Sequence, residues 1–197
     1  MLSLRMRVVL IGGLSCSGKT TLAESLARRW HAPILRLDDY YQPLTELTFE
    51  ERTLRNFDAP DILDVELLCA HVAALSAGRS VDVPTYDFVA FTRAPHTHAV
   101  HPHETLIVEG QLTLHFPELV SRAETRVFLD VCPEECLNRR IARDVRTRGR
   151  TPEEVRMRFE RDVRPMYEAY VSPSRAHATR VLTAEDCRRT VEGAYVL

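Results

Sequence analysis

An α/β fold, a parallel sheet with helices on both faces, is the class this 197-residue sequence predicts, and three observations predict it. Short apolar, largely β-branched runs at 7–11, 34–37, 106–108, 127–131 and 181–183 read as strands buried on both faces. Segments of helical spacing separate them, which is the alternation of crossover units. The first run also passes through a glycine turn into a helix and two others close on carboxylates, so polar groups gather at strand ends, where such sheets bind ligands.

The elements follow in order. Run 7–11 ends in Gly12-Gly13, and 20–30 has helical spacing through Leu22, Leu26 and Trp30. Run 34–37 closes on Asp38-Asp39-Tyr40-Tyr41, and a helix over 64–77 stops at Gly78. Residues 79–103, rich in Pro and His and partly alternating, read as a β-hairpin insertion overhanging the site. Its His96, His98, His101 and His103 are expected to face solvent, since Pro102 breaks the alternation a metal site would need. Run 106–108 closes on Glu109-Gly110, and 127–131 leads into Pro133-Glu134-Glu135, a helix-start signal. Helices over 132–148 and 155–171 are joined through Gly149. Thr151 to Glu154 has capping-box spacing, and Pro165 is expected to kink the second helix.

At 22.5 kDa, with 45% apolar and 27% charged residues, a single domain over 1–197 is expected. No window approaches the roughly 20 uninterrupted apolar residues of a membrane span, so no membrane partner is expected. Residues 8–14 are apolar but run into glycine, serine and lysine instead of a small-residue cleavage site, and a cytoplasmic location is therefore expected. The 26 basic residues against 28 acidic ones, net −2, argue against a nucleic-acid partner. The five cysteines are odd in number and lack zinc-type pairing, as thiols in a reducing compartment do. Cys132 and Cys136, at helical spacing, are expected to be core or partly buried thiols.

Of the 26 basic residues 25 are arginine, and the single lysine, Lys19, falls inside Gly13-Leu14-Ser15-Cys16-Ser17-Gly18-Lys19-Thr20, which satisfies G-x-x-x-x-G-K-[ST]. Such a loop aims backbone N–H groups at phosphate oxygens and adds the positive end of the next helix. Gly13, Ser15, Cys16, Ser17, Gly18, Lys19, Thr20 and Thr21 are therefore candidate nucleotide-binding residues. Lys19 is assigned to the β and γ phosphates and the Thr20 hydroxyl to Mg²⁺. The sheet is expected to be of the P-loop NTPase type. A guanine-specific switch reads its base with Asn-Lys-x-Asp, which a chain whose only lysine is Lys19 cannot contain. A motor fragment, a nucleotide sensor and a small-molecule kinase remain.

The carboxylates favour the kinase. Transfer to an alcohol needs one carboxylate to take the hydroxyl proton and further oxygens around the metal. Asp38, at a strand end beside the loop, is the candidate base and also a candidate for the metal set; Glu109 is the candidate metal ligand, through water. Asp39 reads better as a turn or cap residue. Region 139–164 carries ten arginines against five acids and reads as a helical lid whose guanidinium groups answer the charge on a migrating phosphoryl group.

In order along residues 7 to about 180, the motifs resemble the uridine kinase (uridine-cytidine kinase) family of P-loop kinases, within the phosphoribulokinase/uridine kinase superfamily. The phosphate loop is followed by Asp38-Asp39-Tyr40-Tyr41, similar to the family's Asp-Ser-Phe-Tyr, and by Asn56-Phe57-Asp58-Ala59-Pro60-Asp61, similar to Asn-Phe-Asp-His-Pro-Asp. Pro84-Thr85-Tyr86-Asp87-Phe88 resembles the nucleoside-facing hairpin, Val108-Glu109-Gly110 the Phe-Glu-Gly, and Arg143 to Arg150 the lid. The resemblance implies ATP (or GTP) as donor with Mg²⁺, a pyrimidine nucleoside as acceptor, and self-association into a homo-oligomer. It implies Asp38 as base, Asp58 and Arg140 on the ribose hydroxyls and Tyr86 in the base pocket. Arg143, Arg148 and Arg150 would meet phosphates, Arg143 and Arg148 as catalytic cations, with Tyr41, Phe91, Arg93 and Arg158 on the substrate side. Phe91 stands where the family commonly has a His that bonds the base edge, and Arg158 where it has a Gln, so altered specificity is expected.

Overall fold

The computed structural model describes residues 6–193; the expected domain's ends, 1–5 and 194–197, lie outside the described residues. The chain opens with β1 (Arg7–Gly13), α1 (Lys19–Trp30) and β2 (Ile34–Arg36), then a 3-10 turn at Leu37–Tyr40. Next come α2 (Phe49–Thr53), α3 (Val65–Ser76) and the antiparallel hairpin β3 (Val81–Asp87) and β4 (Thr92–Val100). Then follow β5 (Thr105–Glu109), α4 (Pro117–Val120), β6 (Thr125–Leu129) and α5 (Pro133–Arg148). A helical run through α6 (Pro152–Arg158), α7 (Arg164–Met166) and α8 (Ser172–Ser174) precedes β7 (Arg180–Leu182) and α9 (Ala184–Val191).

All five sheet strands are parallel, in the order β2-β5-β1-β6-β7. The apolar runs bury both faces. Val8 and Leu10 of β1 pack on the side of α3 and the hairpin, against Leu68, Val72 and Val83. Val9 and Ile11 turn to the other side, under Leu22 and Leu26 of α1 and Cys187 of α9. A third cluster joins Leu14 of the glycine loop to Leu137, Val155, Phe159 and Val163, and so seats the lid helices on that loop. Among the described residues no helix is long and apolar enough to cross a membrane.

The hairpin is pinned to the turn after β2. Asp39 accepts the Tyr86 N–H, and Arg93 donates to the Tyr41 carbonyl (2.8 Å) and to Asp64 (3.0 Å). The strand register shifts between Pro84 and Tyr86, next to the residue that has no N–H to offer a ladder.

Several expectations are corrected. The second strand stops at Arg36, one residue short of 37, and the 3-10 turn separates the acidic pair: Asp38 lines a cavity while Asp39 faces the hairpin. Cys132 is exposed at the N-cap of α5, beside Glu134, and only Cys136 of that pair is buried. The helical run carries on through Pro165, where a kink is expected. A π turn at Phe159–Val163 comes just before it, and a second, Tyr167–Val171, just before Pro173, so each ring follows a widened turn. The short helices α2 and α9 were not foreseen, although Thr48 with Glu51 and Thr183 with Asp186 form capping boxes.

Gly110 sits where β5 meets the 3-10 turn, and a Cβ there would overlap Leu37. Gly110→Ala is expected to destabilise the fold by about 1–3 kcal/mol through overpacking, read as a lower denaturation midpoint, and to displace the adjoining Asp38.

Candidate active site

After β1 the chain turns through Gly13 (φ 135°), Cys16 (φ 64°) and Gly18 (φ 107°). Left-handed positions between ordinary ones direct successive N–H groups into one concavity, the geometry of an anion nest. Gly13 has no room for a side chain, because a Cβ would meet the Leu129 carbonyl oxygen at 2.7 Å. Lys19 is buried and its Nζ donates to the Leu14 carbonyl at 2.9 Å, curling the ammonium back over the loop. The buried Ser17 hydroxyl has no protein partner. Thr20 donates its hydroxyl to Glu109 Oε1 (3.1 Å), and Thr21 is exposed in the first turn of α1.

Parallel pairing brings the acids to the same end. Glu109 closes β5 beside Ile11 of β1 and Arg36 of β2. Burial raises its pKa, against the pull of the Lys19 charge. Asp38 Oδ1 accepts the Tyr41 hydroxyl at 3.3 Å; burial pushes that phenol well above its ordinary range, so it stays a donor. Asp58 is set by a local turn, its N–H donating to Asn56 Oδ1 (2.9 Å). Burial raises the Asp58 carboxyl too, against the Arg140 charge and a hydrogen bond from Gln111.

These groups face one cleft. A cavity of about 130 Å³ is lined by Ser15, Cys16, Lys19, Thr20, Asp38 and Glu109. A larger one, about 760 Å³, shares Ser15, Asp38, Tyr41, Asp58 and Arg143 with it. The larger cavity has an aromatic wall in which Tyr41 meets Phe57 and Tyr86 edge-on, with ring centroids 5.2 and 5.0 Å apart, and Phe57 meets Phe91 at 5.6 Å. The buried Tyr86 hydroxyl has no protein partner. The same cavity is also lined by Arg140, Arg148, Arg150 and Arg158.

Four of these lid arginines crowd one acid. Asp144 has a fully buried side chain and lies 2.8 Å from Arg143, 3.6 Å from Arg148 and 3.7 Å from both Arg140 and Arg150. Burial works against its charge, but the Arg143 hydrogen bond and the surrounding guanidinium groups outweigh it and hold the carboxyl below the usual range.

Of the residues picked from sequence, Arg93 is not brought to the cleft; it spends its guanidinium on Asp64 and the Tyr41 carbonyl, bracing the hairpin. Arg158 reaches the cleft wall, and among the described residues it forms no ion pair with Asp58. Four contributors went unforeseen. Arg55 and Phe57 line the larger cavity, Asp144 organises the lid, and Gln111 accepts the Ser15 N–H (3.1 Å) while donating to Asp58 (3.3 Å). Position was the available signal for Gln111, which directly follows the Glu109-Gly110 strand tip.

A profile described as the phosphoribulokinase / uridine kinase family matches residues 8–190. The chain belongs to this family. A uridine kinase of Chloroflexus aurantiacus is 40% identical over 174 residues, 87% of this chain and 83% of that one. One from Aliivibrio fischeri is 38% identical over 178 residues, with 87% and 83% covered. The solved phosphoribulokinase of Rhodobacter spheroides has the same fold, with a TM-score of 0.63 at 14% identity over 91% of this chain and 70% of that one. The chain is a kinase of the family's P-loop α/β fold, with a nucleotide-binding loop and the foreseen hairpin.

Asp144→Asn keeps the shape and removes the charge beneath four guanidinium groups. It is expected to cost about 1.5–3 kcal/mol in urea denaturation at neutral pH, the worth of hydrogen bonds to a charged group. A carboxyl with a lowered folded pKa contributes stability above its unfolded value and loses it as pH falls through the folded one. The difference between native protein and variant should therefore close only below the ordinary carboxylate range.

Proposed function

We propose that the protein transfers the γ-phosphoryl group of ATP, with Mg²⁺, to the 5′-hydroxyl of a pyrimidine ribonucleoside, uridine or cytidine, giving the monophosphate. The observation that carries this reading is that Lys19 and Asp38 line the same cavity, with Asp58 alongside. The acceptor O–H breaks as Asp38 takes its proton, the new O–P bond forms, and the bond from Pγ to its bridging oxygen breaks to release ADP. The Tyr41 hydroxyl holds Asp38 Oδ1, which fixes the carboxylate and leaves Oδ2 for the acceptor.

The loop amides, Lys19 and the unpartnered Ser17 hydroxyl suit phosphate oxygens. Thr20 and Glu109, hydrogen-bonded to each other, with Asp38 nearby, form a hard oxygen set that fits Mg²⁺. Thr20 and Glu109 would hold such an ion, and it would supply positive charge to offset that of the phosphate oxygens. Arg143, Arg148 and Arg150 supply forked donors for the charge spread over the migrating group. On the acceptor side Asp58 and Arg140 take the ribose hydroxyls, Phe57 and Phe91 provide ring faces for the base, and the lone Tyr86 hydroxyl provides a donor for its edge. Arg55 and Arg158, which also line the larger cavity, favour a second reading, a small alcohol bearing an anionic group.

A coupled ADP-release assay over uridine, cytidine, purine nucleosides, pantothenate and sugar phosphates tests the choice: turnover on uridine or cytidine is expected, and turnover on an anionic alcohol alone would replace the first reading by the second. Asp38→Asn should lower kcat by about 10²–10⁴-fold, the usual contribution of a general base, while calorimetry still records ATP binding.

With the Asp58 carboxyl raised by burial, its ionised form is lost, as pH falls, at a value above the ordinary range. The kcat/KM for the nucleoside is expected to fall on that limb, at a higher pH than an unperturbed aspartate near 3.9 would give.

A further inference from the structure

Among the described residues, Gln111 is the one side chain hydrogen-bonded to both the phosphate loop and the acid proposed to bind the acceptor. The two bonds fix its orientation. Ser15 N–H can only donate and an ionised Asp58 can only accept, so Oε1 must face Ser15 and Nε2 must face Asp58. Arg140 extends the chain of contacts by donating to the Ser15 hydroxyl at 3.4 Å, and its charge acts on Asp58 without an ion pair. Ser15 follows β1, Gln111 follows β5, Asp58 lies on the turn before α3 and Arg140 rides on α5, so one chain of polar contacts ties four separate segments together.

We propose that Gln111 is a positioning residue for acceptor selection: its carboxamide aims the Asp58 carboxylate at a vicinal diol and sets that carboxylate's distance from the phosphate loop. This rests on the reading of Asp58 as the diol-binding group. A carboxylate accepting two hydroxyls of a rigid ring must be held in both rotation and position, and a partner anchored on a backbone N–H does this better than the flexible arginine alone. Without Gln111, Asp58 keeps Arg140 as its cation but loses its fixed donor, and it still faces the like charges of Asp38 and Asp162. The consequence is confined to acceptors that carry the diol.

Gln111→Met, of similar length and without polar atoms, and Gln111→Glu, which keeps an acceptor for Ser15 but sets a second carboxylate against Asp58, test this in the full chain. Each is compared with the native protein on uridine or cytidine and on the corresponding 2′,3′-dideoxynucleoside, which retains the 5′-hydroxyl. The expected result is a loss in kcat/KM of about tenfold on the diol-bearing acceptor, carried by KM with kcat within about twofold, and little change on the dideoxy acceptor. An equal loss on both acceptors, or no loss on either, overturns the proposal, and a lowered melting temperature shared by both variants does not alter that comparison. If the native protein turns over no nucleoside, the acceptor reading fails and this inference with it; if it turns over both acceptors and the variants do not distinguish them, only this inference fails.

Discussion

Opposite charges line one cleft, and the remainder of the fold turns on how they are held there. Glu109 stands on a strand tip and Asp38 and Asp58 on turns, while Lys19 opens α1 and the arginines stand on α5 and just beyond it. Left free, the guanidinium groups would repel one another or collapse onto these acids. Asp144 prevents both by presenting one buried carboxylate to four of them. The lid therefore keeps a surplus of positive charge facing the cleft, which is what a migrating phosphoryl group requires.

The sheet order converts this electrostatic arrangement into a length scale. β1, β5 and β2 are consecutive neighbours, and the glycine loop, Glu109 and the turn bearing Asp38 follow their respective ends. Two strand spacings separate the first from the last, about 10 Å. That span accommodates a phosphoryl group and an alcohol oxygen, with Glu109 in the middle position beside Thr20. The hairpin is fastened through Asp39, Arg93 and Thr92 to the turn that carries Asp38, so the aromatic wall and the proposed base share one foundation.

How much could be read beforehand follows from which contacts are local. The parallel sheet was legible because strands buried on both faces show uninterrupted apolar runs, and the glycine loop because its geometry restricts residue type. Asp38 and Glu109 were legible as carboxylates ending such runs. Gln111 was not, since its partners lie 96 and 53 positions away and a glutamine after a strand is unremarkable by itself. Arg93 was drawn to the substrate side by its place on the hairpin, yet Asp64, 29 positions away, holds it as a brace. The π turns before Pro165 and Pro173 also escaped, because a proline within helical spacing signals disturbance without saying whether the helix bends or widens.

The contrast between the two ends of the acceptor cavity decides where selectivity can reside. At the aromatic end Phe91 has no donor, and the only unpartnered side-chain hydroxyl among the described residues lining that cavity is that of Tyr86. At the other end Asp58 is surrounded by Arg140, Gln111 and its own turn, a fully ordered acceptor group. Sites discriminate strongly only where a missing ligand group leaves a buried polar partner unsatisfied. On the proposed reading, removing a sugar hydroxyl exposes that penalty at Asp58, while changing the base disturbs only ring packing and one hydroxyl. On that reading the architecture weights recognition toward the sugar and away from the base, and Phe88 and Val89 at the hairpin tip are exposed.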